Sequence, residues 1–129
     1  MPSFPVIICI GTDRSTGDSL GPLTGMRLAT LLRSSNIPVY GTLDEPVHAT
    51  NLEEYVNLIN KKWYGHPVIA IDACLGQAVN VGTILADDKP LKPGAAVNKA
   101  LPEVGDISFS GIVNVGGFME FQVLQNTRL

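Results

Sequence analysis

No run of eighteen apolar residues occurs in this 129-residue chain, so no segment reads as a membrane-spanning helix. Basic clusters are missing as well. Nine Lys and Arg stand against twelve Asp and Glu, and the formal net charge is −3. A nucleic-acid surface needs clustered cations to meet phosphates, so that class of partner is excluded. The N-terminal "MPSFPVIICIG" has no basic flank, and its apolar run is too short for a secretory signal; the expected setting is cytoplasmic. Cysteine is scarce. Cys9 and Cys74 lack metal-site spacing and read as buried thiols in a reducing compartment. Histidine is scarcer in effect, because the two copies are His48 and His66 and none follows residue 66.

What is present is a core. Hydrophobic residues make up 45% of the chain, enough for one packed domain spanning residues 1–129. "PVIICI" (5–10) and "PVIAIDA" (67–73) are continuous apolar runs, as expected for strands buried on both faces. "PVYGTL" (38–43) is a third strand candidate. Residues 19–33 carry Leu20, Leu23, Met26, Leu28, Leu31 and Leu32 near helical spacing, with Asp18 as the expected N-cap. Residues 50–64 form a second helix. Thr50 or Asn51 caps it, acids fall in its first turn and lysines in its last. The alternation of strand and helix predicts a doubly wound three-layer αβα domain with a mostly parallel sheet. Farther on, 81–88 reads as a strand or edge hairpin arm, 88–106 as loop and 107–115 as a strand. Residues 116–129 read as the start of a helix.

The loop "GTDRSTGDSLGPL" (11–23) follows the first strand. It lacks the glycine and lysine spacing of a phosphate loop and the G-x-G-x-x-G of a dinucleotide site. Ser19 fits G-x-S-x-G, but it lies about eight residues beyond the strand, not on a sharp elbow directly off it. No histidine follows residue 66 to serve as its base. Carboxylates remain. Asp18 starts the first helix and Asp72 ends the third strand. In a doubly wound sheet, strands 1 and 3 are neighbours at the switch point, where ligands bind. Two acids 54 positions apart should therefore meet in one crevice. An aspartate after "VIAI" is costly unless it is paired or used. Close carboxylates share a proton and can activate water. With His48, in the loop after strand 2, the same acids offer a divalent-metal alternative.

These residues carry a resemblance. "CIGTDRSTGDSLGPL", "YGTLDEPVHATNL", "AIDACLG" and the stretch from Leu91 to Leu129 resemble the YyaC-type sporulation proteins over nearly the whole chain. That family in turn resembles the germination protease, which degrades small acid-soluble spore proteins. The shared pieces are D-S/A-L-G-P-L, I-A-I-D-A and a P-G-x-x-V-x-K stretch. The resemblance implies an endopeptidase of sporulating cells, with Asp18 and Asp72 as catalytic acids and a peptide or small spore protein as substrate. It also implies a fold shared with hydrogenase maturation endopeptidases, which bind nickel through two acids and a later histidine. That histidine has no counterpart here, and His48 would have to replace it. Asp13, Arg14, His48, Asn51, Lys99 and Asn114 are the expected substrate contacts, with Asp13 and Arg14 also a possible ion pair that orders the loop. The alternative expectation is a non-enzymatic protein that binds a peptide or protein partner in the same crevice.

Overall fold

The computed structural model describes residues 4–14, 17–93 and 101–115. Its elements run β1 (Val6–Cys9), α1 (Leu20–Leu31), β2 (Val39–Tyr40), α2 (Leu52–Lys62), β3 (Val68–Gly76), β4 (Ile84–Asp87) and β5 (Ile107–Val115). A 3₁₀ turn at Gly17–Ser19 leads into α1. The sheet order is β2-β1-β3-β5-β4. The pairs β1–β2, β1–β3 and β3–β5 are parallel, and β4 closes the edge antiparallel to β5. This is the expected doubly wound, mostly parallel architecture, with the 81–88 strand as an edge arm.

Direction explains the layers. From β1 the chain steps outward to β2, then returns past β1 to β3. Right-handed crossovers put the two connecting helices on opposite faces of the sheet. Alternating residues show it. Val6, Ile8, Ile10 and Ala70 pack with Leu52 and Ile59 of α2. Ile7, Ile69 and Ile71 line the other face together with Leu20, Thr24 and Leu28 of α1. Val6, Ile8 and Leu52 are fully buried. Each such side chain contributes roughly 1.5–3 kcal/mol of burial.

The two helices dock differently. α2 keeps Glu53 and Glu54 in its first turn and Lys61 and Lys62 in its last, as its charge order predicts. α1 does not use its leucine stripe as expected. Leu23, Met26 and Leu31 are exposed, and its buried residues are Gly21, Pro22 and Gly25. The reason is close approach. A Cβ on Gly21 would strike the Ile10 carbonyl, and one on Gly25 the Gly41 carbonyl. The helix backbone lies against the sheet's end, which leaves the larger side chains outside.

Residues 88–93 and 101–106 are mostly irregular, tied by the Leu91–Val104 bridge. The expected helix after residue 115 lies outside the described residues.

Candidate functional site

β1 stops early. After Cys9, Ile10 turns to bridge Val47, and its N–H reaches the Ile71 carbonyl at 2.8 Å. β3 therefore runs on past the last β1 pairing from residue 72. Asp72 is the fifth residue of a nine-residue strand, not its end as the sequence suggested. β3 continues because β5 pairs with it along its length, setting Ser110 opposite Asp72.

The loop after β1 returns to the same place. Gly11 N–H donates to the Val47 carbonyl at 2.8 Å, and Thr12 N–H to the Asp18 carbonyl at 3.0 Å. Gly11 adopts φ +149°, and a Cβ there would collide with the Asp18 carbonyl. Only glycine lets the loop fold this tightly. Asp18 is not the helix cap it was expected to be. Ser19 holds the N-cap position and makes no side-chain cap bond. The Asp18 carboxylate is occupied otherwise: Thr12 Oγ1 donates to its Oδ2 at 2.8 Å. Ser19 is buried, which agrees with a helix-start serine rather than an exposed nucleophile.

The two acids feel one another. Burial pushes the Asp72 carboxyl well above the usual carboxylate range. The N–H of Ala73, 2.8 Å from Oδ1, works against that shift, and the charge of Asp18 adds to it. Asp72 as a residue is partly exposed, while its carboxyl is enclosed. Its charge also reaches both thiols. Cys9, fully buried, is pushed up to about 12, first by burial and then by Asp72. Cys74 is raised by burial and by Asp72, with a hydrogen bond from Ser110 opposing. Cys74 is partly exposed, where a buried thiol was expected. Both remain inert as thiols rather than reactive as thiolates.

The other expected contacts divide. Arg14 is exposed and turns back on Thr12. Its backbone N–H and its Nε both donate to Thr12 Oγ1 at 3.4 Å. It forms no ion pair with Asp13; the ion pair among the described residues is Lys92–Glu103. Asp13 is exposed. His48 and Asn51 serve their own turn. Asn51 Oδ1 accepts the His48 N–H at 2.8 Å, and its Nδ2 donates to the Pro46 carbonyl at 3.1 Å. His48 Nδ1 accepts from Thr50 N–H at 3.3 Å. Asn114 stands on β5 opposite Leu75, just past a register shift. Lys99 lies outside the described residues. His66 is at the far end of the sheet, its Nδ1 3.0 Å from the Phe4 carbonyl and its ring against Phe4 and Trp63.

Among the described residues, no three His, Cys, Asp or Glu groups cluster closely enough to hold a metal ion. Two hollows lie elsewhere, and neither is lined by Asp18 or Asp72. One of about 600 Å³ involves Trp63, His66 and Asp106, and an apolar groove of about 720 Å³ runs between α1 and β5. No helix among the described residues is long and apolar enough to cross a membrane.

A family model described as "Protein of unknown function (DUF1256)" matches residues 3–129. The chain belongs to that family. Its relative "Uncharacterized protein YyaC" of Bacillus subtilis (strain 168) is 59% identical over 124 residues. That match covers 96% of this chain and 60% of the relative, so the chain spans well under the relative's full length. The YyaC-type resemblance read from the motifs is thereby established. Among solved structures, the NiFe hydrogenase maturation protease HycI from Thermococcus kodakarensis KOD1 aligns with a TM-score of 0.58. Identity is 18%, over 95% of this chain and 85% of that one. At that identity the family shares HycI's fold, and the likeness carries nothing further.

Sequence reasoning missed Thr12. A hydroxyl six residues before an acid has no distinctive spacing, and only the folded loop brings the two together. It missed Cys74 and Ser110 as neighbours of Asp72 for a related reason: strand alternation puts Cys74 on the Asp72 face, but β5 register had to supply Ser110.

Proposed function

We propose that this protein is an aspartate-dependent endopeptidase of the germination-protease type, acting on a small spore protein in sporulating cells. The observation that carries the reading is the placement of Asp72 on β3, beside the end of β1 and the loop that carries Asp18, where burial raises its carboxyl above the usual range. One proton shared between two carboxyls supplies an acid and a base at once. The ionised carboxylate takes a proton from water as the water oxygen bonds to the peptide carbonyl carbon. The protonated carboxyl gives its proton to the carbonyl oxygen. Collapse of that intermediate breaks the C–N bond, and a proton passes to the departing nitrogen.

The test is cleavage of a purified small acid-soluble spore protein by wild type, Asp18→Asn and Asp72→Asn, each with and without chelator. Loss of at least ~100-fold in both variants, indifferent to chelator, is the expected result. Chelator sensitivity refutes the two-acid mechanism. Absence of cleavage by folded wild type, with peptide still bound in the crevice, favours the binding protein instead.

A further inference from the structure

At the end of the sheet where β3 begins, the hollow of about 600 Å³ lies between the last turns of α2, the turn into β3 and residues 103–106. Its sides differ in kind. The α2 side is aromatic, with Trp63 and His66. The opposite segment brings the carboxylates of Glu103 and Asp106. Ile59 and Val104, both buried, give it an aliphatic floor. No Lys or Arg among the described residues lines it. The sides are fixed in advance. Trp63 Nε1–H donates to Tyr40 Oη at 2.9 Å, and the indole packs edge-on against Phe4 and His66. The Phe4 carbonyl, 3.0 Å from His66 Nδ1, can only accept, so Nδ1 carries its hydrogen and the ring is held. Asp106 is clamped to β3: its N–H donates to the Val68 carbonyl at 2.7 Å, and its Oδ2 accepts the Val68 N–H at 2.8 Å. Each side already draws an ammonium group of this chain at its rim. Lys62 Nζ stands 5.3 Å from the centre of the Trp63 ring, and Lys92 Nζ lies 3.8 Å from Glu103 Oε1. Neither lysine lines the hollow itself. An aromatic face and a carboxylate attract the same kind of cation, and an aliphatic floor suits the methylene stem behind it.

We propose that this hollow is a binding site for a primary ammonium on an aliphatic stem, the chemistry shared by a lysine side chain and a free alkylamine. The ammonium sits between the Trp63 ring and the carboxylates of Glu103 and Asp106, and the stem lies on Ile59 and Val104. The site is separate from the peptidase reading: Val68 at its edge stands four residues before Asp72 on β3, about 13 Å along the strand. Water screens the exposed acids, so the expected affinity is modest, with Kd about 1 mM at low salt and weaker at high salt.

The test is titration of the intact chain with pentylammonium, with neutral pentanol and with acetyl-Gly-Lys-Gly-amide. Two readouts follow it: the emission of Trp63, the chain's one tryptophan, and the ¹H–¹⁵N shifts of the Val68 and Asp106 amides. Saturable binding of both ammonium probes, with pentanol much weaker, is the expected result. Glu103→Gln and Asp106→Asn should each weaken binding about fivefold. The amide oxygen of the Asp106→Asn side chain can still accept the Val68 N–H, so the clamp on β3 is kept. Glu53→Gln makes the same charge change in the first turn of α2 and should leave binding as it was. Peptide binding tighter than pentylammonium assigns the site to a lysine of a polypeptide, and equal or weaker peptide binding assigns it to a free amine; both uphold ammonium recognition. The proposal is overturned by pentanol binding as tightly as pentylammonium, or by no saturation below about 20 mM. Unchanged affinity in both acid variants, or an equal loss in Glu53→Gln, overturns it as well. None of these readouts involves Asp18 or Asp72, so the peptidase reading can fail while this site stands, and the reverse.

Discussion

Asp18 and Asp72 are held in place by opposite means. The loop carrying Asp18 has no ladder to hold it; it is built from particular bonds, Thr12 N–H to the Asp18 carbonyl and Thr12 Oγ1 to the Asp18 carboxylate. The strand carrying Asp72 is gripped on both sides by β1 and β5 through a register that any strand-forming sequence satisfies. A loop positions an acid by specific partners, and a strand positions one by geometry while stripping its water. The second arrangement raises the carboxyl it encloses, because burial disfavours the charged form.

The contrast breaks hardest at Gly11. Gly11→Ala places a Cβ against the Asp18 carbonyl and 2.9 Å from Pro22 Cδ, at a φ that alanine avoids. The expected loss is about 3 kcal/mol of stability by denaturant unfolding, with Asp18 displaced. A loss below about 1 kcal/mol would mean that the loop is less tightly specified than its bonds suggest.

Asp72→Asn acts next, and in the opposite direction. Folded Asp72 holds its proton to higher pH than the unfolded chain does. Wild-type stability is therefore complete below the reference carboxyl pKa of about 4 and falls as pH rises toward the raised folded value. The asparagine variant removes that fall. It should be more stable than wild type at pH 7 by at least ~1 kcal/mol, with the difference vanishing near pH 4, in thermal unfolding followed against pH. A variant less stable at neutral pH would show that Asp72 is held ionised.

Thr12→Val should cost about 1 kcal/mol in the same unfolding measurement, the ordinary worth of one hydrogen bond. Asn51→Ala, which removes the bonds to His48 N–H and the Pro46 carbonyl, should cost a similar amount while leaving the two acids untouched. The smallest effect concerns the thiols. With a disulfide reagent at pH 8, Cys74 should react slowly and Cys9 hardly at all, because one is partly exposed and the other enclosed.

Much of this was legible from residues alone. Continuous apolar runs marked β1 and β3 as strands covered on both faces, since only a parallel sheet with helices on both sides demands them. Charge order marked α2. The switch-point rule placed Asp18 and Asp72 together across 54 positions. Where the reading failed, packing had overruled local pattern. The leucine spacing of α1 suggested a leucine interface, yet Gly21 and Gly25 make the contact, because helix-to-sheet distance is set by the smallest residues between them. Asp18 suited an N-cap by position, but a carboxylate bonds to whatever donor the folded loop presents, and that donor is Thr12.

The sequence by itself determined the order of elements, the parallel core and the two acids, because periodicity and solvation cost are written in residue type. The tertiary structure alone decided how far β3 runs past Asp72, that His48 turns to its own loop, and which hydroxyl faces Asp18. Those depend on register and on the path of a loop, where a single bond angle or a neighbour's backbone outweighs any local preference.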